Sequence, residues 1–183
     1  EFLNTQKEDL LKAKALLEST INDMDDEVKV RFKSTFEAIR ESFQKTFTQM
    51  FGGGQADQIL TSENLLDAGI EIAVQPPGKK LASLNLMSGG EKSLTALALL
   101  FAIIRVRTVP FVVLDEVEAA LDEANVKRFG DYMTRFDESS QFIVVTHRKG
   151  TMKAAKAMYG VTMQEGGVSK IVSVKLKDIE RMT

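Results

Sequence analysis

Residues 111–116 read Phe111-Val112-Val113-Leu114-Asp115-Glu116, a short apolar run that ends in two acids. A second apolar run, Phe142-Ile143-Val144-Val145, lies downstream, and a helix-like stretch from about Glu123 to Phe136 separates the two. Continuous apolar runs of this length are typical of buried parallel strands. The order strand, helix, strand predicts a right-handed crossover unit and therefore an α/β fold.

Upstream of this unit the sequence predicts one long amphipathic helix. From residue 3 to about residue 51 there is no proline or glycine, and apolar residues recur three or four apart. Gly52-Gly53-Gly54 then ends the helix, since successive glycines have no preference for it. We therefore expect a coiled-coil end and neck helix over residues 1–51 and a globular lobe over residues 52–183.

The first part of this helix carries a seven-residue repeat. Leu10, Leu17 and Met24 recur every seven positions, with Ala13 and Thr20 between them. This spacing suits the end of a coiled coil whose partner strand is absent from the sequence. A surface helix packed on its own domain is the alternative.

Two further β elements and one helix are predicted in the lobe. Ile70, Ile72 and Val74 alternate with less apolar residues, as in a half-buried strand that ends at Pro76-Pro77-Gly78. A strongly apolar helix is expected from about residue 91 to residue 105. Near the carboxy end a β-hairpin is predicted, with Gly166-Gly167 between Val161-Thr162-Met163 and the alternating Val172, Val174 and Leu176.

The composition limits the class of protein. The chain has 183 residues, of which 44% are hydrophobic and 27% charged, so one globular unit with an appendage is expected. A net charge of -2 gives no overall positive field, so any DNA contact must be a local patch. The absence of cysteine excludes disulfides and thiolate sites.

The ends and the hydropathy add two expectations. No apolar stretch of about 18 residues occurs and the amino end is no signal peptide, so neither secretion nor a membrane span is expected. The first residue is Glu1 rather than methionine, which favours a piece of a longer polypeptide.

The acidic end of the first strand is a candidate site. In parallel sheets ligands bind beyond the carboxyl ends of the strands. Asp115 can hold Mg²⁺ there through a carboxylate oxygen, and Glu116 can polarise an attacking water. Acids that only cap the following turn are the alternative.

Two other segments suggest phosphate binding. Ser88-Gly89-Gly90-Glu91 opens a helix, where free backbone amides and the helix dipole favour an anion. The only histidine, His147, directly follows the second strand and can donate to a phosphate oxygen from a ring nitrogen. A simple N-cap and a surface histidine are the respective alternatives.

The order of these segments resembles that of ABC ATPases. Ser88-Gly89-Gly90 resembles the signature motif, Asp115-Glu116 the Walker B motif, Ala120-Leu121-Asp122 the D-loop, and His147 the switch histidine. Within that superfamily, residues 84–96 and 113–125 closely resemble the SMC family of chromosome-organising ATPases, in particular that of Gram-positive bacteria. The resemblance extends over effectively the whole chain.

The resemblance implies a fold. The expected structure is the C-terminal lobe of an ABC-type ATPase head, with a parallel-sheet core, flanking helices and a C-terminal β-hairpin, preceded by a neck helix. The Walker A loop Gly-x-x-x-x-Gly-Lys-Ser/Thr is missing, since Gly78-Lys79 is followed by Lys80. The N-terminal half of the same head is therefore expected to supply it, and this piece alone is expected to be inactive as an ATPase.

The resemblance also implies roles for the site residues. Two heads sandwich two ATP molecules, with Asp115 serving Mg²⁺, Glu116 the hydrolytic water and His147 the γ-phosphate of one head's nucleotide. The signature residues Ser88, Gly89, Gly90 and Glu91 contact the nucleotide of the opposite head. Asp122 crosses the same interface.

The implied partners are a second head in an ATP-sandwiched homodimer, the C-terminal winged-helix domain of a kleisin resembling ScpA, and DNA in the assembled complex, with no membrane. The implied setting is chromosome condensation and segregation by a condensin-type complex in the cytoplasm, at the nucleoid. Lys79, Lys80, Arg148 and Lys149 are candidate DNA contacts, although solvated surface charge is the favoured interpretation of these residues.

Three other classes of protein are alternatives to this interpretation. An ABC transporter subunit usually has proline after the Walker B glutamate, where this chain has Val117. A split-head DNA-repair ATPase resembling Rad50 or RecN is the runner-up. A role mainly as an interaction module, docking a partner through the hairpin edge or a helix face, is a further alternative.

Overall fold

The computed structural model describes residues 2–80, 82–136, 140–164 and 166–175. The helices are α1 (Phe2–Phe51), α2 (Gly89–Val106), α3 (Glu123–Thr134) and α4 (Lys149–Ala154), with a 3₁₀ turn at Leu84–Leu86. The strands are β1 (Gln55–Leu60), β2 (Ile70–Gln75), β3 (Ala82–Ser83), β4 (Phe111–Asp115), β5 (Gln141–Val145), β6 (Ala157–Gln164) and β7 (Val168–Lys175). In these ranges β1, β2 and β3 form an antiparallel sheet, β4 and β5 a parallel pair, and β6 and β7 an antiparallel hairpin.

The long helix is confirmed, and its two ends have different surroundings. The side chains of Leu10, Leu17 and Met24 are exposed, whereas Phe43 and Phe47 are fully buried in the lobe. One continuous helix therefore serves as both an arm and a part of the core. It ends before Gly52, Gly53 and Gly54 because all three have positive φ, which a right-handed helix does not contain.

Aromatic side chains form the centre of the core. Phe101 of α2 lies with its ring centroid 5.1 Å from that of Tyr132 and 6.0 Å from that of Phe129, both on α3. The Tyr132 hydroxyl accepts a hydrogen bond from Arg105 Nε at 3.1 Å and lies 3.2 Å from the hydroxyl of Thr46 on α1. These contacts fasten α1, α2 and α3 to one another.

The predicted crossover unit is present. β4 and β5 pair in parallel, with Phe111 opposite Gln141 and Asp115 opposite Val145, and α3 lies between them in the chain. Leu114 is buried on the face that meets the helices.

The expectation that both strands are buried on both faces is wrong for this chain. Four apolar side chains of the second face are between 47% and 59% exposed: Phe111, Val113, Ile143 and Val145. The reason is that α2 and α3 cover only one face, and no described residue covers the other. The second face is therefore an open apolar surface.

The C-terminal hairpin is also confirmed. β6 and β7 pair from Ala157 opposite Lys175 to Gln164 opposite Val168, and the turn contains Gly166 and Gly167, both with positive φ. The predicted Leu176 lies outside the described residues. Apolar side chains of both strands are exposed: Tyr159, Val161, Met163, Val168 and Ile171.

None of the helices in the described ranges combines the length and the apolar character that crossing a bilayer requires.

An ion pair joins the neck helix to the first sheet. Arg40 of α1 binds Asp57 of β1 through two hydrogen bonds of 2.5 Å, and Gln44 adds a third at 3.1 Å. The hydrogen bond from Arg40 holds the pKa of Asp57 below its ordinary value, and the same bond raises the pKa of Arg40. The bidentate geometry fixes the angle at which the helix enters the lobe.

We predict that Asp57→Asn lowers the free energy of unfolding by ~1 kcal/mol, because the pair is partly exposed and solvent screens it. The measurement is urea unfolding at neutral pH. Since the carboxyl pKa is depressed in the folded state, the contribution is present above the ordinary value of 3.8 and is lost as the pH falls through the lower folded value. The difference between the two proteins should therefore shrink in acid.

Glu41→Gln is the control, since Glu41 pairs with Lys45 on the exposed surface of the same helix. It should leave the unfolding midpoint unchanged. Equal effects of the two substitutions would contradict a special role for Arg40 and Asp57.

Candidate nucleotide-binding site

The acidic end of β4 lies at the surface. Asp115 is the last residue of the strand, and both Asp115 and Glu116 are exposed. Glu116 has a φ of 45°, and among the described residues no other non-glycine residue has a positive φ. This left-handed conformation costs about 1–2 kcal/mol for a residue with a Cβ. The backbone N–H of Glu116 donates to the Val145 oxygen at 3.0 Å, which holds the turn in place.

His147 meets Glu116 at this edge. It lies two residues after the end of β5, Glu116 lies one residue after the end of β4, and parallel pairing places both strand ends side by side. Its Nδ1 lies 3.4 Å from Glu116 Oε1, and both side chains are more than half exposed. The structure thus brings together two residues that the sequence singled out separately.

The signature segment begins α2 with a capping box. The Ser88 hydroxyl accepts from the Glu91 N–H at 3.4 Å and donates to Glu91 Oε2 at 2.9 Å, while the Ser88 N–H donates to the same oxygen at 3.3 Å. The N-cap that the sequence allowed as an alternative is therefore present. Ser88 is also exposed, so capping leaves it accessible to a ligand.

The two glycines of this segment have different neighbours. A Cβ at Gly89 would meet nothing within 4 Å, so its backbone faces open space. A Cβ at Gly90 would lie 3.4 Å from the Ala120 oxygen and 3.9 Å from Asn125 Nδ2. The start of α2 therefore packs against residues 117–122, called the D-loop segment below because they contain Ala120-Leu121-Asp122, which resembles that motif.

Asp122 ends that segment as the N-cap of α3. Its Oδ1 accepts from the Asn125 N–H at 2.8 Å, and its Oδ2 accepts from Asn125 Nδ2 at 3.3 Å. The carboxylate is exposed near the start of α2. Ser88, Gly90 and Asp122 thus belong to neighbouring segments of one surface.

Lys79 contacts the signature segment, and the sequence did not predict this contact. Its Nζ lies 2.7 Å from Glu91 Oε1, twelve residues away. This hydrogen bond, and then those from Ser88, lower the pKa of Glu91. Nothing local in the sequence marks the contact, because the turn between β2 and β3 alone brings the lysine there.

The acidic edge fits a metal ion that is shared with a ligand. No group of three or more acids or histidines in the described ranges is arranged to hold a metal by itself. Mg²⁺ usually takes about one or two carboxylates and completes its shell with water and phosphate oxygens. Asp115, exposed at a rigid strand end, suits that kind of site.

The fold defines a class. It is that of the C-terminal lobe of an ABC-type ATPase head attached to a neck helix. Residues 3–170 match the family described as the RecF/RecN/SMC N-terminal domain, and the chain belongs to that family.

Relatives in this family include the chromosome partition protein Smc of Bacillus subtilis. It is 59% identical over 179 residues, which are 97% of this chain and 15% of the relative. The chain thus spans a small part of the length of the relative that it matches.

Solved structures agree with this assignment. The Smc head domain of Pyrococcus furiosus, with an extended coiled coil and bound to the C-terminal domain of ScpA, has a TM-score of 0.80 and 41% identity, covering 98% of this chain and 45% of that one. A structure described under ATP-driven dimerization and DNA-stimulated activation of SMC ATPases has a TM-score of 0.74 and 43% identity, covering 84% and 94%. The SMC resemblance is confirmed.

We predict that Lys79→Met raises the pKa of Glu91 toward its ordinary value of 4.5. The substitution removes the hydrogen bond from Lys79, which is the largest cause of the lowered pKa. Carboxyl NMR titration of the chain measures this shift. Lys80→Met is the matched control and should leave the titration unchanged. A Glu91 titration that is unaffected by Lys79→Met would show that the contact does not exist in solution.

Proposed function

We propose that this chain is the C-terminal half of an SMC ATPase head and that it takes part in ATP-driven head engagement and ATP hydrolysis. The observation that carries the proposal is the contact of Glu116 and His147 at an exposed strand edge. A carboxylate that can accept a proton from water and a ring nitrogen that can donate to phosphate are both needed for hydrolysis. The chromosome-partition relatives and the SMC head structures support it.

The roles of the edge residues follow from their chemistry. Asp115 would hold Mg²⁺, which when bound neutralises phosphate charge. Glu116 accepts the proton of the hydrolytic water, and its carboxylate is accessible for this. His147 lies beside Glu116 and donates to the terminal phosphate.

The signature surface serves the nucleotide of a second head. Ser88, Gly89 and Gly90 offer an exposed hydroxyl and a helix start to which phosphate can come close, and Glu91 holds the serine in place. Asp122 lies at the same surface and would cross between heads. ATP bound between two copies then acts as a bridge that hydrolysis removes. The ATP-driven dimerization named for the related SMC ATPase supports this arrangement.

The open face of the parallel pair is where the N-terminal half of the head packs. Phe111, Val113, Ile143 and Val145 would be buried there, and burying apolar surface contributes roughly 25 cal/mol per Å². That half would bring the missing phosphate loop. Residues 52–183 are then one lobe of a two-part head on the neck of residues 1–51, and without the other part the chain is inactive.

Further partners follow from the exposed surfaces. The exposed repeat of α1, with Leu10, Leu17 and Met24, suits a coiled-coil partner helix. The exposed edges of the β6–β7 hairpin suit a kleisin winged-helix domain resembling that of ScpA, which is bound to the Pyrococcus furiosus head. The assembled complex would act on DNA in chromosome condensation and segregation, in the cytoplasm at the nucleoid.

The Glu116→Gln substitution tests the hydrolytic role. In a head assembled from this chain and the complementary N-terminal half, ATP turnover should fall by ~100-fold or more while ATP stays bound. Glutamine has nearly the size of glutamate but cannot accept the proton of the water. Phosphate release and nucleotide-dependent dimer lifetime are the measurements. Glu63→Gln, in the loop between β1 and β2, is the control with normal turnover. Unchanged turnover in Glu116→Gln would reject the role.

The Ser88→Arg substitution tests the signature surface. The added side chain should block ATP-dependent dimerisation, observed by sedimentation, and leave ATP binding to the single head unchanged. Ser62→Arg adds the same bulk and charge to an exposed loop and should dimerise normally. If both variants dimerise alike, this surface is not the interface.

A further inference from the structure

Glu118 is a buried carboxylate that none of the proposed steps uses. It lies between the acidic strand end and Asp122, and only 1% of its surface is exposed. Its Oε1 accepts a hydrogen bond from the Thr146 hydroxyl, 28 residues away, and its Oε2 has no partner among the described residues. A carboxylate is expensive to bury, so its position indicates a specific task.

Thr146 connects this carboxylate to the segment that carries His147. Its hydroxyl donates to Glu118 and accepts the Arg148 N–H at 2.9 Å. The Thr146 hydroxyl thus binds the D-loop segment through Glu118. By accepting the Arg148 N–H, the same hydroxyl also closes a turn of the backbone around His147. The last backbone hydrogen bond between the two strand ends runs from the Glu116 N–H to the Val145 oxygen. Thr146 lies one residue beyond that bond.

Arg148 makes a second connection of the same kind. Its Nη2 donates to the Leu121 oxygen at 3.0 Å and lies 3.2 Å from Glu123 Oε1, with 22% of the side chain exposed. The residues that it holds directly flank Asp122. Its guanidinium therefore contacts the D-loop segment, and it is not the solvated surface charge that the sequence allowed.

We propose that Glu118 and Thr146 are positioning residues that join the D-loop segment to the switch histidine. Together with Arg148 they make residues 116–123 and 146–148 move as one unit. His147 then keeps its place beside Glu116, and any shift of His147 when the terminal phosphate leaves is passed to Asp122. The proposal rests on the proposed ATPase function, since it assigns residues to that same site.

Thr146→Val in the full-length protein is the direct test. Valine has nearly the same shape but can neither donate to Glu118 nor accept from Arg148. Hydrogen bonds to charged groups are the stronger ones, so we expect kcat for ATP to fall by ~10- to 100-fold, with the KM and the affinity for ATP within about threefold. Thr146→Ser keeps the hydroxyl and should keep the wild-type kcat.

Thr151→Val is the matched control for loss of a buried hydroxyl. Thr151 lies on the neighbouring α4, is 3% exposed, and its hydroxyl has no partner in the described ranges. This variant should hydrolyse ATP like the wild type. Comparing Thr151→Val with Thr146→Val separates the loss of the hydrogen bond between Thr146 and Glu118 from a general effect of valine in this region.

The partner residue provides an independent measurement. Glu118→Gln keeps the shape and weakens the bond from Thr146, so kcat should fall with KM unchanged. The double variant with Thr146→Val should be no slower than Thr146→Val alone, because both substitutions break one connection. If the kcat losses of the two single variants multiply in the double variant, Glu118 and Thr146 do not act through one shared connection, and the proposal is overturned.

Other outcomes separate this inference from the function on which it rests. Normal kcat in Thr146→Val, or equal losses in Thr146→Ser and Thr146→Val, overturns the positioning role. So does a loss confined to KM. If wild type and Glu116→Gln turn over ATP at the same rate, the proposed function itself fails. If Glu116→Gln is inactive and Thr146→Val is normal, only the inference fails.

Discussion

The parallel register of β4 and β5 is the constraint on which the site depends. Asp115 lies opposite Val145, so the two residues that follow, Glu116 and His147, leave the sheet at the same edge. A slip of one residue would turn one of these strand ends toward the other face. The aromatic core on one face of the pair favours the observed register, since Phe142 packs against Phe101 with centroids 5.7 Å apart. Packing on one side of the sheet thus fixes the chemistry at its end.

The last turns of the neck helix pack into the same core. Its last turns contribute Phe43 and Phe47 to the core, and Arg40 ties it to β1. Thr46 touches the hydroxyl of Tyr132, which lies on the helix that Asp122 caps. Packed side chains therefore connect α3 directly to the part of α1 that lies in the lobe.

Large apolar side chains are exposed on three surfaces of the described residues. One face of the parallel pair, the first part of α1 and both sides of the β6–β7 hairpin all present large apolar side chains to solvent. Surfaces of this kind are usually sites of association. In the proposed head each would meet a different neighbour.

The sequence by itself determined the long helices, β2, β4, β5, the hairpin and the chemistry of the strand ends, whereas β1, β3 and α4 were not predicted. The long proline-free run gave α1, the short apolar runs gave β4 and β5, and the paired glycines gave the hairpin, because local periodicity and turn residues decide such features. Asp115, Glu116, Ser88 and His147 stood out since each lies at or next to the end or the start of a regular element. The order of the motifs then pointed to the family, which the relatives confirm.

Only the tertiary structure decided what these elements touch. It left one face of the parallel pair open, brought Lys79 to Glu91, and buried Glu118 against Thr146. None of these contacts has a local signal, because each joins segments that are distant in sequence and depends on how the helices pack. The sequence identified the side chains that can take part in chemistry. Packing between distant segments decided which of these side chains contact one another.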